Sequence, residues 1–117
     1  MRIALAQINP TLGNFAGNVE RILASAQKAR TGGAELVVCP ELCICGYPPM
    51  DLLDHRSFVS DNRDAVHRLC RQLPAGIGVV IGHVTPNPTG VGKALYNVAS
   101  IIADGIVVGS QAKSLLP

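Results

Sequence analysis

The chain has 117 residues, a formal net charge of +2 and 48% hydrophobic side chains, enough for the core of one small domain. Its 10 basic residues are scattered and aromatics make up only 3%, which argues against a nucleic-acid surface of basic patches and base-stacking rings. No apolar run approaches bilayer-crossing length, and the apolar start at Met1 is broken too soon by Gln7, Asn9 and Pro10 to be a signal peptide, so a cytoplasmic protein with no membrane partner is expected.

Residues 2–8 alternate and read as a first strand, ended by the turn Asn9-Pro10-Thr11-Leu12-Gly13-Asn14. A helix is predicted from about Ala16 to Arg30. Val19, Ile22, Leu23, Ala26 and Ala29 share one face, and Gly32-Gly33 stops it. Leu36 to Cys39 reads as a short apolar strand of the kind buried on both faces. Leu42 to His55 is a loop rich in Pro and Gly. Ser57 or Ser60 then caps a second helix reaching about Leu73, with Val59, Ala65, Val66, Leu69, Cys70 and Leu73 apolar. Ile77 to Val84 is a third strand and Thr85 to Lys93 a polar loop. Leu95 to Ala103 and Ile106 to Ala112 are strands joined by Asp104-Gly105, a strong hairpin signal. The order β-α-β-α-β-β-β predicts an α/β layered fold.

Most polar features have plain explanations. Cys39, Cys43 and Cys45 lack the C-x-x-C spacing of a zinc or redox site, so reduced, partly buried thiols are expected, Cys70 among them. Gly90-Val91-Gly92-Lys93 is no phosphate loop. Asn87 stands where the first glycine is required, Ala94 where Ser or Thr belongs, and a strand follows instead of a helix. His55, His67 and His83 are far apart, and Asp51 and Asp54 suit loop solvation or capping. Arg63, Arg68 and Arg71, interleaved with Asp61 and Asp64, read as a solvated helix face.

Glu41 and Lys113 stand out. Each ends an apolar strand, where α/β folds gather their chemistry, and a carboxylate there needs a partner or a task. Ile3-Ala4-Leu5-Ala6-Gln7, Pro40-Glu41-Leu42 and Lys113-Ser114-Leu115-Leu116-Pro117 resemble the carbon–nitrogen hydrolase (nitrilase) superfamily. Cys45-Gly46-Tyr47-Pro48-Pro49-Met50-Asp51-Leu52-Leu53, with Asn9-Pro10-Thr11-Leu12-Gly13 and Asn18, is most similar to the N-terminal glutaminase domain of the glutamine-dependent NAD synthetases. The resemblance covers the whole chain.

It implies the N-terminal part of a four-layer α-β-β-α sandwich and a Glu-Lys-Cys triad. Glu41 matches the general base and Lys113 the oxyanion-stabilising lysine. The family's nucleophilic cysteine lies beyond that lysine. This sequence has four residues after Lys113, and none of Cys39, Cys43, Cys45 or Cys70 stands in a matching context. The resemblance therefore implies residues 1–117 of a partial domain with no nucleophile of its own, inactive alone. The tyrosine that relatives carry soon after the lysine is absent, and Met50 stands where many have an acid. Glutamine is the implied substrate of the parent protein. ATP and magnesium are implied only for a separate synthetase domain, and a homo-oligomer for the full-length parent. The chain itself is expected to bind no cofactor or metal. Two other readings are a stand-alone amidase of small amides and a non-catalytic assembly module.

Overall fold

The computed structural model describes residues 1–46, 56–86 and 95–112. Its elements are β1 (Ile3–Leu5), α1 (Phe15–Thr31), β2 (Leu36–Val38), α2 (Arg56–Gln72), β3 (Gly78–Pro86), β4 (Leu95–Ala103) and β5 (Ile106–Ala112). The five strands form one sheet in the order β1-β2-β3-β4-β5. The first three run parallel, and β4 and β5 add on antiparallel. The β-α-β-α-β-β-β order read from the sequence is the order observed.

Local chemistry explains the element ends. Asn14 caps α1, its side-chain oxygen accepting from the Gly17 N–H at 3.1 Å. At the other end the Gly32 N–H closes on the Lys28 carbonyl at 3.0 Å, with Lys28 and Arg30 in the last turn, where cations suit the helix dipole. The hairpin turn has φ of 53° at Asp104 and 81° at Gly105, both in the left-handed region that a two-residue turn between twisted strands requires. Val107 and Gly109 pair with Ile102 and Ile101, which leaves Val108 between them as a bulge.

Several boundaries differ from the sequence reading. Ser57 and Ser60 lie inside α2 and do not cap it. Phe58 between them is buried against Leu42, Cys45 and Val84, and this packing extends the helix ahead of both serines. β1 covers only Ile3–Leu5, although the Ala6 N–H still reaches the Val38 carbonyl at 2.9 Å before the Asn9-Pro10 turn leads the chain away. β3 runs on to Pro86 because β4 continues the ladder through the Leu95 pair.

The expectation that β2 is buried on both faces is also corrected. Val37 is 1% exposed, but its neighbours Leu36 and Val38 are only half-buried. Val37, Val79 and Ile102 lie in one row across the sheet. That row packs with Val19, Ile22 and Ala26 of α1 and Ala65, Val66 and Leu69 of α2. On the other face Ile3, Leu5 and Ile101 remain exposed. The described residues thus supply one helical layer and one sheet, two of the four layers of the expected sandwich.

Candidate active site at the end of β2

The site grows from the way β2 ends. The Cys39 N–H continues the ladder to the Val80 carbonyl at 2.9 Å. After Pro40 the chain turns across β3, and the Ile44 N–H bonds the Gly82 carbonyl at 3.2 Å. The crossing is close. A Cβ at Gly82 would lie 2.4 Å from the Leu42 nitrogen and 3.2 Å from the Glu41 Cα. Leu42 itself takes φ 49°, uncommon for a residue with a side chain and typical of functional turns.

This crossing carries Glu41 over β3 to β4. Glu41 is exposed, and its Oε1 accepts a hydrogen bond of 2.8 Å from Nδ2 of Asn97. A cleft of about 410 Å³ opens beside it, walled by Val38, Val80, Asn97, Ala99, Gln111 and Ala112. Lys113 lies outside the described residues. The residue before it, Ala112, pairs with Val98, the neighbour of Asn97 in β4. Asn97 went unnoticed in the sequence. Its only signal was an amide within the largely apolar strand Leu95–Ala103.

A buried asparagine holds the loop from below. Asn18 Nδ2 donates to the Thr11 carbonyl at 2.9 Å and the Ile44 carbonyl at 3.0 Å, while its Oδ1 accepts from the Thr11 N–H at 2.8 Å. The Gly13 N–H reaches the Cys45 carbonyl at 2.8 Å. The Asn9–Asn14 turn, the start of α1 and the loop after Glu41 are therefore one hydrogen-bonded unit.

All four cysteines are free thiols, as expected. Cys43 is fully buried, its Sγ accepting from the Gly82 N–H at 3.4 Å. A hydrogen bond to Cys43 pushes the Cys39 thiol far above its usual range, and burial adds to this. The same bond draws Cys43 down, against its own burial. Burial pushes Cys45 up to about 11 and also raises Cys70. Cys43 and Cys45 are held among apolar side chains of the core.

His67, His83 and the basic group match their plain readings. His67 is exposed. His83 Nε2 lies 2.7 Å from Ser100 Oγ, which in turn lies 2.7 Å from Ser110 Oγ, and burial pulls its imidazole below the ordinary value. Arg63 and Arg71 are exposed and Arg68 pairs with Glu20 of α1. A larger cleft of about 800 Å³, lined by Arg56, Arg63, His67 and His83 among others, lies against α2 and does not include Glu41. His55, Asp51, Asp54 and Gly90-Val91-Gly92-Lys93 lie outside the described residues. Among the described residues no three His, Cys, Asp or Glu side chains are grouped to hold a metal ion. No described helix is long and apolar enough to cross a membrane.

A carboxylate at a cleft beside the strand ends of an α/β sheet lies where such folds gather their binding sites. The chain matches the carbon–nitrogen hydrolase family over residues 2–117 and belongs to it. A glutamine-dependent NAD(+) synthetase of Synechocystis sp. is 42% identical over 98% of this chain, which spans 21% of that protein. A solved glutamine-dependent NAD+ synthetase from Acinetobacter baumannii, in complex with ADP, matches with a TM-score of 0.82 at 32% identity, over 98% of this chain and 21% of that one. The amidase from Nesterenkonia sp. AN1 matches at 0.77 and 26% identity, over 100% of this chain and 44% of its own. In one mutant of that amidase the acetamide moiety of fluoroacetamide is covalently added at the active-site cysteine. The chain spans about a fifth of the length of the curated relatives it matches.

Proposed function

We propose that residues 1–117 are the N-terminal part of a glutaminase domain that supplies ammonia for ATP-dependent NAD synthesis in a longer parent protein. The observation that carries this reading is the whole-chain similarity to glutamine-dependent NAD(+) synthetases, at up to 42% identity. The placement of Glu41 at a cleft on the strand ends supports it.

Glu41 acts as general base. It takes the proton of a cysteine thiol supplied by a later part of the parent, and the thiolate attacks the glutamine amide carbonyl. The ammonium of Lys113 stabilises the oxyanion. Glu41 returns that proton to the amide nitrogen, ammonia leaves, and the regenerated carboxylate activates the water that hydrolyses the thioester to glutamate. The covalent adduct at the active-site cysteine of the Nesterenkonia amidase is consistent with such a nucleophile. On this reading the 117-residue chain alone is inactive. ATP and magnesium are assigned, on the resemblance alone, to the synthetase part of the parent. The parent is cytoplasmic and homo-oligomeric on the same resemblance.

The test replaces Glu41→Gln in the full-length parent. Glutamine-dependent NAD formation should fall to background while formation from added ammonium persists, because ammonium bypasses the amidase step. Wild-type glutamine use by E41Q would overturn the assignment. The amidase matches favour a second reading, a stand-alone hydrolase of small amides. A parent that releases ammonia from simple amides but makes no NAD from glutamine would establish it.

A further inference from the structure

We propose that Asn97 is a positioning residue for Glu41, holding the carboxylate in the orientation and charge state that proton abstraction needs. The inference rests on the assignment of Glu41 as general base.

The geometry is unusual for a strand-end glutamate. Glu41 leaves β2, yet its side chain is fixed by β4, two strands away, through the 2.8 Å bond from Asn97 Nδ2 to Oε1. The backbone reaches that far only because Gly82 of β3 has no side chain to block it. Asn97 is opposite Val84 in the β3–β4 ladder, two pairs along from Gly82 and Ala99. The donor therefore sits on a paired strand rather than on a loop.

An amide N–H can only donate to a carboxylate, so the bond selects the ionised form over the protonated one. It also fixes which carboxylate oxygen faces β4. A misplacement of about 1 Å in such a group can cost roughly a hundredfold in rate. Asn97 touches neither the thiol nor the substrate on this account; it acts through Glu41.

The test uses the full-length parent with Asn97→Ala and Asn97→Asp, beside Glu41→Gln. Ammonia release from glutamine is measured as kcat, KM and a pH profile of kcat/KM. N97A should lower kcat by up to about a hundredfold with little change in KM, and should move the acidic limb to higher pH because the carboxylate has lost a donor. N97D, which keeps the size of the side chain and so the packing of β4, should move that limb further, since a second carboxylate disfavours ionisation of Glu41. Wild-type kcat and an unmoved limb in N97D, with E41Q inactive, would overturn the positioning role and leave the base assignment standing. Wild-type turnover by E41Q would overturn both.

Discussion

At the residue scale the site depends on a missing side chain. Gly82 lets the Pro40-Glu41-Leu42 backbone cross β3, and a methyl group there would meet the Leu42 nitrogen at 2.4 Å. The atom in the way is backbone, so the loop itself must move. Gly82→Ala in the parent should therefore cost about 1–3 kcal/mol of stability through overpacking. It should also reduce glutamine turnover by about a hundredfold, since Glu41 is displaced from Asn97. Chemical denaturation and ammonia-release kinetics on one preparation check this; unchanged turnover with lowered stability would break the link. Glu41 stood out in the sequence as a carboxylate closing an apolar strand, although the structure leaves it exposed and so without the desolvation that made it conspicuous. Asn97 did not, because its role exists only after three strands and a glycine bring it to residue 41, 56 positions away.

At the element scale periodicity found both helices and every described strand, because burial against the sheet and alternation along it leave their own spacing in the chain. It failed where packing overrode local preference. The serine caps looked sound, but burying Phe58 mattered more than satisfying two hydroxyls. The strand at Leu36 looked symmetrically buried, but composition alone does not say which face the helices cover. Asn18 shows the opposite case, a residue of α1 whose motif was visible and whose purpose was not. It ties the turn before α1 to the loop that follows Glu41. Asn18→Ala should leave the buried carbonyl of Ile44 and part-buried main-chain groups of Thr11 without this partner, at a cost of about 1–3 kcal/mol. Thermal unfolding measures it, and a neutral effect would mean that these groups find other partners.

At the scale of the whole molecule one face of the sheet is packed and the other is apolar and open. Among the described residues Ile3, Leu5 and Ile101 on that face are between 40% and 73% exposed, and exposed apolar side chains grouped on one face mark an interaction surface. The 117-residue chain should bind a dye such as ANS while its circular dichroism remains that of an ordered α/β protein, and the full-length parent should bind far less. Absence of dye binding by the folded chain would mean that this face is closed in solution. The family and half of its layering could be read from the chain, because they reside in motifs and local patterns. What covers the open face could not, since that information lies in surfaces that meet only across the assembled fold.

The crossing over Gly82 has a dynamic consequence. Glu41 belongs to β2 by sequence but is bonded to β4, so its carboxylate takes its frame of reference from the β4–β5 hairpin. Twisting of the hairpin carries Glu41 and Asn97 together, along with the strand that leads to Lys113. The hydrogen bond across two strands thus couples the orientation of Glu41 to the hairpin that contains Asn97.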